Sequence, residues 1–180
     1  MVESSDLDLV AEARRHWIEN DLGQVEAMVA ATSLTRAHQI VLGRINAALA
    51  PLSLTFSRYE ALALLSFTRH GSMGMSRMGE RLQVHPTSVT STIDRLERDG
   101  LVERRPHPDD RRATLAAITA DGAHVLSQAT AALEVIRWGM GDMLEPTISD
   151  LNDDLANVRA SAGDNVSGSR RATSERNNHE

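Results

Sequence analysis

A chain of 180 residues, 41% of them hydrophobic, can enclose one real core, or one domain with flanking helices, but hardly two large independent domains. With only two Phe, one Tyr and two Trp, it reads as mainly α, because strands favour aromatic and β-branched side chains. The absence of cysteine excludes a disulfide framework, a thiolate zinc site and thiol redox chemistry. The N-terminal stretch MVESSDLDLV lacks the basic-then-apolar pattern of a leader, and no apolar run approaches the roughly 18 residues a membrane span needs. The expectation is therefore a cytoplasmic protein with no membrane partner.

In chain order, a first helix is expected from Ser5, whose hydroxyl caps it while Asp8 completes an approximate capping box. Leu7, Val10, Ala13 and Trp17 share one of its faces. After the NDLG break, Leu34, Ala37, Val41, Ile45 and Ala48 recur at helical spacing until Pro51. A third helix starts with Thr55 as its cap and turns Tyr59, Leu62 and Ser66 or Phe67 inward. Two short helices follow, striped by Met75, Met78, Leu82 and by Val89, Ile93, Leu96, with Pro86 opening the second and Gly100 just past its end. LVERR and ATLAAIT then read as two strands around an arginine-rich, proline-bounded tip. TADGAHVLSQATAALEVIRWGM restarts a helix, and a last one aligns Ile148, Leu151, Leu155 and Val158. Apolar stripes on such terminal helices suggest packing between two copies. From Gly163 only Val166 and Ala172 are apolar, so a disordered tail is expected.

The net charge of −6 looks wrong for a nucleic-acid binder until it is divided along the chain. Acidic residues crowd the first 26 positions, whereas Arg104, Arg105, Arg111 and Arg112 gather around the hairpin tip. Fields act within about 10 Å at moderate salt, so the local balance decides.

Helix, turn, helix and two-stranded wing in this order is the layout of a winged helix-turn-helix, which lays its second helix in the major groove of DNA. The face opposite Val89, Ile93 and Leu96 carries Thr87, Ser88, Thr90, Ser91, Asp94 and Arg95. Small hydroxyl side chains allow close approach, and one arginine reaches a base edge or phosphate. An ordinary solvated face would hold more Glu and Lys. At the tip, Asp110 stands two residues before Arg112, an offset at which a carboxylate can brace a guanidinium for a narrow minor groove. The alternative is a mixed-charge surface turn.

Residues 75–122, with GLVER, a D-x-R wing (Asp110, Arg112) and the T-x-x-G of Thr119 to Gly122, resemble the MarR family of bacterial transcription regulators, and with the flanking helices the resemblance spans about residues 5–160. It implies a homodimer whose terminal helices interleave, binding a pseudo-palindrome of double-stranded DNA, and in most members a repressor released by a small ligand. The added helix bearing RRHW is similar to the urate-responsive branch, which implies a ligand site at Trp17, Glu60 and Arg104. That branch usually has Asp where Glu60 stands and often arginine where Thr92 stands. The implied effector is a small anion, either urate or another purine, or a carboxylate such as citrate or aconitate.

The residues themselves support such chemistry: Trp17 offers a flat apolar surface, Arg104 a bidentate fork, and Glu60 a group to hold that fork or repel an anion. The plainer alternatives are core packing for Trp17 and a phosphate contact for Arg104. Expected divisions are 1–50 for helices that cover the ligand site and dimerise, 51–120 for the winged helix-turn-helix, 121–162 for further dimerisation helices, and 163–180 for the tail. No glycine-rich phosphate loop or HExxH is present, and the paired acids Asp109/Asp110 and Asp153/Asp154 lack a partner nucleophile, which argues against an enzyme. The seven histidines show no zinc spacing, and no metal or cofactor is implied. The competing function is a winged-helix interaction module without DNA binding.

Overall fold

The computed structural model describes residues 8–107, 113–164 and 166. Contacts divide the chain into two units, one ending at Gly139 and the other beginning at Met140.

In the first unit, Asp8 caps α1 (Leu9–Glu19) by accepting hydrogen bonds from the Val10 and Ala11 amides at 3.0 and 3.1 Å. Ser5, the expected cap, lies outside the described residues. Gly23, at φ 67°, helps turn the chain into α2 (Val25–Leu49), and an Arg14–Glu26 ion pair of 2.7 Å spans the joint. Of the expected α2 stripe, Ile45 is buried, Val41 and Ala48 are half-buried, and Leu34 and Ala37 are exposed. The helix meets the core only at its C-terminal end.

A 3-10 turn, Ala50–Leu52, leads to α3 (Phe56–Ser66). Thr55 stands at the expected cap, but its hydroxyl faces Ser57. The cap hydrogen bond comes instead from α2, where the Asn46 carboxamide accepts from the Phe56 amide at 2.9 Å. Tyr59 and Leu62 point inward as expected. Leu65, rather than Ser66 or Phe67, continues the stripe, because the helix ends at Ser66 and leaves Phe67 84% exposed at its C-cap.

Next come β1 (Ser72–Gly74), α4 (Met75–Leu82), α5 (Pro86–Arg98), β2 (Val102–Pro106), β3 (Thr114–Ile118) and α6 (Ala120–Val135). The sheet is antiparallel in the order β1-β3-β2, with Arg104 opposite Ala116 and Gly74 opposite Leu115. Three residues are too few for an alternation pattern, so β1 was not legible in the sequence. Leu49, Leu62, Leu65, Met78, Ile93, Leu96, Val102 and Leu133 form the driest part of the core. Residues from five helices and the wing thus share a single apolar interior, and its burial is the main stabilising term.

The helix expected to run from Thr119 to Met140 ends at Val135. Arg137, Trp138 and Gly139 all adopt positive φ (47°, 55° and 80°) and reverse the chain against α2. The Arg44 guanidinium donates to the Gly139 carbonyl at 2.8 Å, and Trp138 packs edge-on against Tyr59. The Tyr59 hydroxyl in turn meets that of Thr130 at 3.1 Å. These polar ties balance the strain of two left-handed non-glycine residues.

The second unit holds α7 (Glu145–Ser161), which has Pro146 in its first turn and no fully buried residue. Ile148, Leu151 and Leu155 are half-buried and Val158 is exposed. No single helix among the described residues is long and apolar enough to cross a membrane.

Candidate nucleic-acid interface

The joint between α4 and α5 is tight because of three local choices. Gln83 takes a left-handed conformation at φ 53°, the Val84 amide donates to the Gly79 carbonyl, and the His85 ring accepts from the Thr87 amide as the cap of α5. Pro86 occupies the first turn, where its missing N–H costs nothing. Gly79 faces the joint: a Cβ there would lie 3.3 Å from the Val84 carbonyl oxygen and 3.5 Å from a Val89 methyl. A glycine at this point allows the two helices their close crossing.

Val89, Ile93 and Leu96 anchor α5 inward at 2% exposure or less. That rotation leaves Thr87, Ser88, Thr90, Ser91, Asp94 and Arg95 on the exposed side, the set expected from helical phase. Thr90 donates its hydroxyl back to the Pro86 carbonyl at 3.1 Å, fixing its rotamer. Arg95 has no ion-pair partner among the described residues.

Arg104 has a role that sequence spacing did not reveal. From β2 it reaches across to α5, donating to Asp94 at 2.5 Å and, through its other terminal nitrogen, to Glu97. Its own amide also donates to Glu97, at 3.2 Å. The hydrogen bond it donates to Asp94, followed by that to Glu97, holds the guanidinium above its ordinary pKa. One cation thereby ties the wing to the recognition helix and neutralises two carboxylates on it. The signal was present as an acidic residue at 94 and another at 97, one turn apart, followed by arginine on the next strand. Only the sheet register shows that they meet.

The T-x-x-G segment also acquires a physical reason. The Thr119 hydroxyl caps α6 by accepting from the Gly122 amide at 2.9 Å and donates to the Gly100 carbonyl at 2.8 Å. A Cβ on Gly122 would lie 2.0 Å from the Leu101 carbonyl oxygen. The residue must be glycine because α6 passes directly against the turn that launches the wing.

Beyond the last strand pair, Pro106 and Thr114, the tip end of the wing hairpin is closed by a hydrogen bond from the His107 amide to the Ala113 carbonyl, at 3.1 Å. Asp110, Arg111 and Arg112, the expected brace and minor-groove arginines, lie outside the described residues.

Trp17, Glu60 and Arg104 are not drawn into one site within the chain. The Trp17 indole N–H donates to the Gly23 carbonyl at 3.0 Å, closing the α1–α2 turn. Glu60 lines a cavity of about 300 Å³ between α3, α4 and α5, together with Met78, Ser88, Val89 and Thr92. Neither Trp17 nor Arg104 lines it. The residue as a whole is exposed, but partial desolvation of its carboxyl at the cavity wall raises its pKa. Among the described residues no group of His, Asp and Glu is arranged to hold a metal ion.

A helix-turn-helix whose second helix projects hydroxyls and an arginine, followed by a two-stranded wing within a three-stranded sheet, defines the class of winged helix-turn-helix proteins. The profile of the MarR family matches residues 54–114. A MarR family transcriptional regulator from Streptomyces coelicolor, Sco5413, is 47% identical, with a TM-score of 0.73 over 77% of this chain and 96% of that one. An uncharacterised HTH-type transcriptional regulator of Mycobacterium leprae is 30% identical over 114 residues, 63% of this chain and 72% of that protein. The organic hydroperoxide resistance transcriptional regulator of Bacillus subtilis is 35% identical over 72 residues, 40% of this chain. The chain spans about half the length, or less, of the first curated relatives it matches, 48% and 41%. The chain belongs to the MarR family.

Proposed function

We propose that this chain is a ligand-responsive, DNA-binding transcriptional regulator that works as a homodimer. It is read as a repressor that leaves a pseudo-palindromic operator when a small anionic effector binds. One observation carries the DNA-binding part: Thr87, Ser88, Thr90, Ser91 and Arg95 all stand exposed on α5, while the carboxylates of Asp94 and Glu97 are tied to Arg104. An acidic chain thus presents a face that is polar and cationic where it matters. Arg111 and Arg112 of the wing, with Asp110 as brace, are assigned to the adjacent minor groove.

The dimer is supported by α1 and α7, neither of which has a fully buried residue, and by Leu34 and Ile40, 43% and 46% exposed on α2. The effector, urate, another purine or a carboxylate, is assigned to Trp17, Glu60 and Arg104. An anion that draws the Arg104 fork away from α5 uncovers Asp94 and Glu97 and so weakens DNA binding, a population shift toward the free dimer.

The test is binding to duplex DNA as a function of salt. Affinity that falls steeply with added salt reports phosphate contacts, and Arg95→Ala is expected to weaken it by about 1–3 kcal/mol, relaxing sequence preference if the contact is to a base. Absent or salt-insensitive binding by the wild-type protein rejects this reading in favour of a winged-helix interaction module.

A further inference from the structure

We infer that the cavity between α3, α4 and α5 is a binding site for a small organic cation, an apolar body carrying one ammonium group, with Glu60 as its counter-ion. The inference goes beyond the anion assigned above. Of the three residues given to that effector only Glu60 lines this cavity, and a lone carboxylate selects the opposite charge.

The cavity, about 300 Å³, is at the small end of ligand pockets and has room for one aromatic ring or a short aliphatic body. Its innermost walls are Ala61, Met78, Val89 and Ile93, each at most 2% exposed. The polar groups stand toward solvent: Glu60 and Ser88 are exposed and Thr92 is half-buried. A molecule that enters therefore buries an apolar end and keeps its polar end beside Glu60. Among the described residues that line the cavity, Glu60 alone is ionisable.

Charge selects the occupant. The Glu60 carboxylate has no ion-pair or hydrogen-bond partner among the described residues. Nearby guanidinium groups are committed elsewhere, Arg58 to Asp99 at 3.1 Å and Arg104 to Asp94 and Glu97. The hydroxyls of Ser88 and Thr92 also make no hydrogen bond among the described residues. An ammonium group supplies the missing charge, and its remaining N–H groups find acceptors in those two hydroxyls. An anion meets a like charge instead. A neutral body leaves the carboxylate further desolvated and still unpaired.

Position ties the site to α5. Ser88, Val89, Thr92 and Ile93 form the flank of that helix turned toward the cavity. Ser88 also belongs to the face assigned to DNA, so an occupant that engages it favours the DNA-free state. By linkage, duplex DNA weakens the occupant by the same factor.

The experiment uses three probes of one shape: 2-phenylethylammonium, the neutral 2-phenylethanol and the anion phenylacetate. Each is titrated against the full chain at pH 7 and constant ionic strength, and affinity is read from the rise in thermal midpoint. Wild type is expected to bind the ammonium roughly tenfold tighter than the alcohol, as for a hydrogen-bonded charge pair, and to show no rise with phenylacetate. Glu60→Gln should bring the ammonium down to the level of the alcohol. Thr92→Leu, which fills the cavity and keeps the carboxylate, should weaken both. In an anisotropy titration with duplex DNA, the ammonium should weaken wild-type binding more than an equal concentration of ammonium chloride does, and Glu60→Gln should abolish the difference.

Wild type that gains nothing from the ammonium, or that binds the alcohol or phenylacetate as tightly, overturns the proposal. So does full ammonium affinity in Thr92→Leu, which places the cation on the surface at Glu60 and not in the cavity. Ammonium binding that leaves DNA affinity unchanged overturns the tie to α5. Wild-type protein that binds the ammonium through Glu60 but never binds duplex DNA defeats the DNA-binding reading above and upholds the cation site, an outcome distinct from the others.

Discussion

Two single residues show how closely backbone approach and charge are matched in this chain. Gly122 lies where any side-chain carbon would meet the Leu101 carbonyl oxygen at 2.0 Å. A backbone oxygen cannot rotate aside, so Gly122→Ala must push α6 away from the α5–β2 turn and strain the Thr119 cap. The expected cost is at the upper end of overpacking penalties, about 3 kcal/mol, read as a lowered urea midpoint. Glu60 is the titration case. Partial desolvation raises its folded-state pKa above the ordinary value of 4.5, so the folded state favours the neutral acid. That advantage is fully present below the unfolded-state value and is lost as pH rises through the raised one. Glu60→Gln is therefore expected to melt slightly higher than wild type at pH 7, on the order of 1 °C for a chain of this size, with the gap closing below about pH 4. A gap that persists in acid rules out desolvation as its cause.

At the scale of elements, the wing and the recognition helix are joined by one charge cluster. Arg104 is a positioning residue: its fork binds the Asp94 and Glu97 carboxylates of α5 and has no need to touch DNA. Arg104→Ala leaves two carboxylates uncompensated on the side of α5 assigned to the groove. Affinity for duplex DNA is expected to fall roughly tenfold, about 1.4 kcal/mol. Adding Asp94→Asn and Glu97→Gln to that variant should restore much of the loss, since the repelling charges are then gone. Failure of this rescue in a folded protein would show that Arg104 acts through its own contact with a phosphate. The exposed cluster is screened by salt, so both effects should shrink as ionic strength rises.

At the scale of the whole molecule, the apolar surface left over by a single chain predicts assembly. Leu34 and Ile40 are exposed on α2, and α1 and α7 have no fully buried residue. A second copy is the proposed cover. Leu34→Asp combined with Ile40→Asp is expected to shift the protein from dimer to monomer in sedimentation velocity, with the helical content of the winged unit retained. A variant that stays dimeric would place the interface elsewhere.

Periodicity alone determined the helices α2 to α5, the two wing strands and the outward face of the recognition helix, because each depends on residues close in sequence whose apolar spacing admits one rotation. Gly100 and Pro86 were legible for the same local reason. Only the tertiary structure decided that β1 pairs with β3, that Asn46 of α2 caps α3, and that Arg137 and Trp138 end α6 by turning back on α2. It also brought Arg104 onto Asp94 and Glu97. Each of these is a meeting of distant segments, settled by sheet register and by which backbones the shared core pulls together. Spacing along a chain carries no information about such meetings.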